Sequence, residues 1–360
     1  MHCTAWVRTD ISPAATPAGY GPASLRSAYN LAAASLANGG AQTVAVVDAF
    51  DDPNAEADLS VYRSTFALPP CTTANGCFLR VNQLGIAGSY PPTDPSGMWE
   101  QEEVLDLDMV SAICPNCEIV LVEANSTFNS DFYAAVDTAA TTCAATVVSN
   151  SWDGGEYGPP MPETADEVHF NHPGVMIVFA SGDFGYNSSQ DGYPVSSQYV
   201  TAVGGTKLCT APLPSSCGGV TSETVWSQTG SRCSLYITQP AWQTALGSAY
   251  TTVCSTRISN DVAAVADPAT PVAFYDTFHA FGGWGNAGGT SVATPIIASA
   301  YALAGNGASL TGASYAYSHA SSLNDITSGK NGACPTYLCN AQAGFDGPTG
   351  YGTPNGIGAF

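Results

Sequence analysis

The sequence predicts an α/β fold with a mostly parallel central sheet packed between helices, in a single domain. Three observations carry this expectation. Four short, almost uninterrupted apolar runs, Thr43–Phe50, Glu118–Ala124, Thr146–Ser149 and Gly174–Ala180, have the composition of strands buried on both faces. Helix-like stretches at Ala23–Ala37, Trp99–Ile113, Asp131–Thr142 and Pro162–His169 alternate with them, the order of right-handed βαβ crossovers. The 360 residues, 45% of them hydrophobic, are enough for a sizeable core.

Along the chain, residues 1–20 are polar and Pro/Ala-rich and read as an arm on the surface, ahead of a domain spanning 21–360. Strand and helix patterns then alternate to about Thr206. Beyond it the chain is rich in Gly, Ser, Thr and Cys and reads as loop, until the apolar helix after Ser291 returns it to the core. No internal repeat or linker interrupts this order. In such sheets, sites gather outside the carboxyl ends of the strands. That directs attention to Asp48, to Asn150-Ser-Trp-Asp153 and to Ser181-Gly-Asp183.

Charge narrows the function. Only 10% of residues are charged, 29 acidic against 8 basic, for a net −21. Nucleic acid and anionic membranes both need a basic surface, so neither is expected as a partner. Acidic side chains lose charge at low pH and self-repulsion falls there, which suits a protein working in acid. There is no apolar run of about 18 residues to span a membrane. No signal peptide is legible, so an exported chain would have lost its signal. Twelve cysteines, several close in sequence (Cys71/Cys77, Cys114/Cys117, Cys209/Cys217, Cys233/Cys254, Cys334/Cys339) with Cys3 and Cys143 left over, read as disulfides of an exported protein, their connectivity open. Asn125-Ser-Thr and Asn187-Ser-Ser fit the glycosylation pattern.

The chemistry starts from Gly288-Gly-Thr-Ser-Val-Ala-Thr-Pro295. Ser291 follows two glycines and opens an apolar helix, the presentation of a nucleophile at a helix N-terminus. Yet only five histidines exist, none in an H-G-T-H setting, and a serine needs a neighbouring base. Winding Trp99–Ile113 at roughly 100° per residue places Asp106 about 40° from Glu102, inside an arc shared with Trp99, Leu105, Met109, Val110, Ala112 and Ile113. Glu100, Glu103 and Asp108 fall outside that arc, as do Val104 and Leu107. Two carboxylates at i, i+4 on a buried face are costly unless they share a proton. Two readings fit: a solvated helix edge, or a coupled acid pair with Glu102 as base and Asp106 behind it. Asp183, directly after a strand, is placed to donate to a developing oxyanion if protonated; the plain alternative is an Asx turn.

These residues resemble the sedolisin (serine-carboxyl peptidase) family, from about Gly19 to Phe360, through Glu102-x-x-Leu105-Asp106, Ser181-Gly-Asp183 and Gly289-Thr-Ser291. The resemblance implies a subtilisin-like three-layer fold and a secreted, acid-active serine endopeptidase acting on proteins or peptides, expected as a monomer. It implies Ser291 as nucleophile, Glu102 as general base, Asp106 orienting it and Asp183 in the oxyanion hole. Asp48 stands where subtilisins keep a triad aspartate but carries no catalytic role in sedolisins. Ser151, Trp152, Asp153 and Gly154 resemble the segment that pairs with substrate backbone, although Trp152 equally fits the core. The family's Ca2+ site maps onto Asp325, Ile326 (carbonyl), Gln342 (carbonyl), Gly344 (carbonyl) and Asp346, hard oxygen donors of the kind calcium takes. The family's long prosegment has no counterpart in these residues, and Asn260-Asp-Val-Ala263 stands where many members have Pro-Asp-x-Ser. The competing classes are a catalytically silent relative that binds without cleaving, and another serine hydrolase such as an esterase. The absence of a G-x-S-x-G elbow argues against the last.

Overall fold

In the computed structural model, residues 1–8, 15–160, 162–278 and 282–360 are described. The N-terminal residues form two short strands, β1 (His2–Cys3) and β2 (Trp6–Val7). Then follow α1 (Pro22–Ala28), α2 (Ala32–Ala37), β3 (Thr43–Ala49), α3 (Ala55–Thr65), β4 (Phe78–Asn82), α4 (Met98–Ile113), β5 (Glu118–Ala124), α5 (Asn129–Thr141), β6 (Val147–Asn150), β7 (Trp152–Asp153), β8 (Met176–Ala180) and β9 (Thr201–Cys209). The remainder includes β10 (Ser222–Val225), β11 (Cys233–Thr238), α6 (Ala241–Thr244), α7 (Ser248–Thr251), β12 (Thr256–Ile258), β13 (Val262–Val265), β14 (Val272–Asp276), β15 (Gly283–Gly288) and α8 (Thr290–Ala304).

The main sheet runs β10-β9-β8-β6-β3-β5-β4, with β13 also on β9; every pairing is parallel except β10 with β9. The apolar runs have a direct cause. Val44, Val46, Ile119 and Leu121 face one hydrophobic cluster, with α1, α3, α4 and α8. Ala45, Val47, Val120 and Val122 face the other, with α5. Alternate residues point to opposite faces, so a strand covered on both sides has no solvent-facing row and reads as largely apolar.

Three expectations need correction. The stretch Ala23–Ala37 is two helices, because Asn30 turns through φ 53° between them. Pro162–His169 contains a 3-10 helix, Glu163–His169. The segment beyond Thr206 is strand-rich, not loop: β10 to β15 lie in it, and Val262–Val265 joins the main sheet. Small residues let it approach β9 closely; a side chain on Gly205 of β9 would meet Ala266 Cβ at 2.5 Å. The five cysteine pairs close in sequence form disulfides, Cys71–Cys77, Cys114–Cys117, Cys209–Cys217, Cys233–Cys254 and Cys334–Cys339, leaving Cys3 and Cys143 as thiols. No helix among the described residues is long and apolar enough to cross a membrane.

Helix α4 is enclosed by α1, α3, α8, β14 and the sheet. Glu100, Glu103 and Asp108, expected off the buried arc, are therefore as buried as Glu102 and Asp106. The C-terminal end of the helix is held from outside. The Arg26 guanidinium donates to the Ala112 carbonyl, and the Ser35 hydroxyl to that of Ile113 at 2.6 Å. A cation at a helix C-terminus also complements the macrodipole.

Burial of carboxyls extends past this helix and makes a prediction for stability. It raises Asp48 to about 8, Asp52 to about 8, Glu123 to about 9 and Asp276 to about 7, with neighbouring carboxylates pushing Asp52 and Asp276 the same way. In the unfolded chain such groups titrate near about pH 4. Above that pH the unfolded state binds fewer protons than the folded one, so the stabilisation is complete below about pH 4 and is lost as pH rises through the folded values. Urea midpoints should fall between pH 4 and pH 8. A midpoint that is flat or rises over that interval would contradict this assignment of protons.

Candidate active site

The site is assembled where β3, β6 and β8 end, against the start of α8. Gly289, at φ 103°, makes the turn from β15 into α8. Its missing side chain is required there: a Cβ would lie 2.0 Å from the Thr4 carbonyl oxygen and 2.8 Å from Asp183 Oδ2. Ser291 follows in the helix's first turn. Pro295, four residues on, has no N–H to give the Ser291 carbonyl. That carbonyl instead lies 3.5 Å from the Ser151 hydroxyl.

Ser291, Glu102 and Asp106 are fully buried, and Asp183 is 2% exposed. Ser151 Oγ donates to Asp106 Oδ1 at 2.9 Å, leaving Asp106 Oδ2 without a partner. Glu102 faces the Ser291 hydroxyl and the Ala5 backbone, which offset part of the rise in its pKa, but neither Glu102 oxygen makes a well-formed hydrogen bond. The Ser291 hydroxyl is paired at 2.8 Å with the Thr4 hydroxyl instead. Asp183 Oδ1 accepts from the Thr290 N–H and hydroxyl, both at 2.8 Å, and Oδ2 is buried and unpartnered beside the space that Gly289 leaves.

Electrostatics follow from this burial. Glu102 is held well above the ordinary glutamate range, by burial first and then by Asp48 and Asp183. Asp106 is likewise raised by burial, then by Asp48 and Glu102. Asp183 is raised well above the usual carboxylate range, again by burial first. Asp48, without a catalytic role in the sequence reading, is a further carboxyl of this group, and both its oxygens are unpartnered. Its place near the end of β3 pointed to the site, but its proximity to Glu102 and Asp106 on α4, remote along the chain, is set by packing alone. A buried group of carboxyls without a cation is stable only if it retains protons.

The first eight residues, read as a surface arm, run through this site. His2 and Cys3 pair antiparallel with Asp153 and Trp152, and the Thr4 N–H donates to the Ser151 carbonyl at 3.2 Å. Trp6 and Val7 pair with Gly288 and Ala287. Between the two pairings, the Thr4 carbonyl lies 3.5 Å from the Ser291 N–H, and Thr4 is 2% exposed. The chain thus crosses the nucleophile as an extended strand, held on both sides by backbone hydrogen bonds. Of the segment expected to pair with substrate, Ser151, Trp152 and Asp153 pair with these residues, while Gly154 bonds to Tyr193. The Trp152 side chain belongs to the core: it stacks on Phe132 at 4.1 Å and its Nε1–H donates to the Val47 carbonyl at 2.9 Å. Thr4 was outside sequence reasoning, because its position depends wholly on the two strand pairings.

The expected calcium ligands are also neighbours. Gly344 N–H donates to Asp325 Oδ2 at 2.8 Å. Asp346 Oδ2 accepts from Gln342 N–H at 3.1 Å, and Oδ1 from the N–H and hydroxyl of Thr349, both at 2.9 Å. Burial, with Asp325 adding to it, raises buried Asp346 to about 7. Ile326 is buried beside Asp325 in sequence. Among the described residues no group of three or more His, Cys, Asp or Glu side chains could hold a metal. A site here would combine two carboxylates with backbone carbonyls. That donor set fits a hard cation, which would relieve the repulsion between Asp325 and Asp346.

Residues 85–317 match the model of the subtilase family of peptidases. The chain is 31% identical over 300 residues to kumamolisin from Bacillus sp. (strain MN-32), covering 75% of this chain and 52% of that protein. It is 32% identical over 209 residues to sedolisin from Pseudomonas sp. (strain 101), covering 50% of this chain and 33% of that protein. The chain thus spans about half the length of the first of these relatives, and less of the second. Its fold superposes on Pseudomonas sedolisin, a serine-carboxyl proteinase solved with two molecules of pseudo-iodotyrostatin, with a TM-score of 0.75 at 24% identity, covering 94% of this chain and 96% of that one. Sphericase shares the architecture with a TM-score of 0.56 at 16% identity, covering 95% and 99%. The family match, the curated relatives and the shared three-layer architecture together show that the chain belongs to the subtilase family, within its sedolisin group.

Proposed function

We propose that the chain is a secreted, acid-active serine endopeptidase that cleaves peptide bonds in proteins through an acyl-enzyme. The observation that carries this is a peptide carbonyl, that of Thr4, lying over Ser291 in a pocket that holds the carboxyls Glu102, Asp106 and Asp183. Ser291 Oγ attacks the substrate carbonyl carbon, and its proton passes to ionised Glu102. Asp106 holds the Glu102 side of the site, itself oriented by Ser151. The carbonyl oxygen gains charge and is met by the Ser291 N–H and by protonated Asp183 through Oδ2. The proton on Glu102 then goes to the leaving amine nitrogen as the C–N bond breaks. Water attacks the ester by the same route, with Glu102 again as base, and releases the acid product.

This division of labour sets the pH dependence. Glu102 must be ionised while Asp183 keeps its proton, so the working window lies between their folded pKa values. Burial raises both groups. The raised pKa of Asp183 extends its donor form upward in pH, and that of Glu102 withdraws the base at low pH. Because Glu102, Asp106 and Asp48 interact, only macroscopic values will be seen. On folded protein, kcat/KM towards a peptide should be bell-shaped with its maximum below neutrality. Ser291→Ala should abolish turnover, and Glu102→Gln should lower kcat by a factor on the order of 10² or more. A maximum at pH 8 or above that Glu102→Gln leaves in place would mean that another base acts. Digestion at no pH would favour the silent, binding relative, a reading supported by the Thr4 hydroxyl engaging Ser291.

The disulfides fit an oxidising, extracellular compartment. For Ca2+, we assign Asp325, Asp346 and the carbonyls of Ile326, Gln342 and Gly344. The ion would supply charge neutralisation and tie together two segments of the C-terminal region, away from the chemistry. Binding to the folded state alone raises stability by linkage. Adding a chelator should therefore lower the melting temperature, and Asp346→Ala should remove that response. An unchanged melting curve together with no calcium by elemental analysis would exclude the site.

A further inference from the structure

The strand that crosses Ser291 also displays side chains to the cleft. Thr4 supplies the carbonyl at the nucleophile, so His2 occupies the position two residues before it. Its Nε2 lies 3.6 Å from Asp191 Oδ1, and its ring meets Phe184 edge-on with centroids 5.5 Å apart. Asp191 is built into this place. It is 3% exposed, its Oδ2 accepts from the Phe184 N–H at 3.3 Å, and a Cβ on Gly182 would lie within 2.1 Å of its carboxyl carbon. Its Oδ1 has no hydrogen-bond partner although fully shielded from water. The one guanidinium nearby, that of Arg232, is engaged at 2.9 Å by Glu156 and donates to the Asp191 backbone carbonyl rather than its carboxylate.

A buried carboxylate oxygen that lacks a hydrogen-bond donor and is covered only by the partly exposed His2, beside exposed Phe184, is satisfied by a cationic side chain. At 3.6 Å the imidazole of His2 stops short of a hydrogen bond, whereas a longer guanidinium can close the gap and lie against the Phe184 ring. We propose that Asp191, with Phe184 as its aromatic wall, is a specificity-determining residue that selects peptide substrates with a basic side chain, arginine foremost, two residues before the residue whose carbonyl is attacked. This rests on the peptidase reading given above.

The experiment uses the full chain and four peptides identical except at that position, carrying Arg, His, Ala or Glu. Displacing residues 1–7 from the cleft is a common factor for all four, so it cancels in the ratios. Values of kcat/KM at one acidic pH should rank Arg, His, Ala, Glu, with Arg over Ala by about tenfold, the order of one charge-assisted hydrogen bond. In Asp191→Asn that ratio should fall towards one. Equal rates for Arg and Ala peptides with the native chain, or an Arg preference that survives in Asp191→Asn, would overturn the assignment. If no peptide is cleaved, it is the peptidase reading that fails. Binding of the Arg and Ala peptides to Ser291→Ala then tests the pocket alone: tighter Arg binding supports it, and equal binding overturns it.

Discussion

The site depends on carboxyl groups kept from water without cations to neutralise them. Helix α4 carries Glu100, Glu102, Glu103, Asp106 and Asp108, all fully buried. In a low-dielectric interior, ionised carboxylates this close repel one another and lack solvation, so the folded state favours their neutral forms. The counter-charges that exist lie away from the nucleophile: buried Arg63 acts on Asp108, buried Arg257 pairs with Asp261, and Arg80 pairs with Asp51 and Glu123. The same constraint that makes the helix tolerant of acid makes Glu102 a base of raised pKa and leaves Asp183 a donor. Stability and chemistry are two consequences of one arrangement.

That arrangement also accounts for the missing histidine. A histidine base titrates near neutrality and would be protonated in acid. A carboxyl starts from a lower pKa than imidazole, and although burial and its neighbours raise Glu102, partners that keep their protons leave it free to ionise. Asp48 joins this group as a further carboxyl, next to Glu102 and Asp106. Its effect on both is the same in sign, raising them.

The cleft is defined by two backbone edges, Ser151–Asp153 on one side and Ala287–Gly288 on the other, and residues 2–7 bridge them. Main-chain pairing of this kind fixes register without regard to side chains. Selectivity is then left to groups such as Asp191 that reach past the backbone.

Much of this was legible in the order of residues. Buried parallel strands leave continuous apolar runs, and Glu118–Ala124 reads directly as one. A helix repeats every 3.6 residues, so the common direction of Glu102 and Asp106 follows from their spacing alone. Gly289 and Ser291 announce a turn into a helix. The strands after Thr206 were missed because they are short and set among Gly-, Ser- and Thr-rich segments, although Val262–Val265 and Val272–Asp276 are themselves largely apolar. The complete burial of Glu100, Glu103 and Asp108 was also hidden, since one helix does not specify how many neighbours enclose it. The meeting of Thr4, Glu102, Asp183 and Ser291, nearly three hundred residues apart at the extremes, is set by the sheet's crossover order. Local sequence determined which groups each element carries and on which side. Only the tertiary structure decided which of them share one water-free pocket, because that depends on packing between elements distant along the chain.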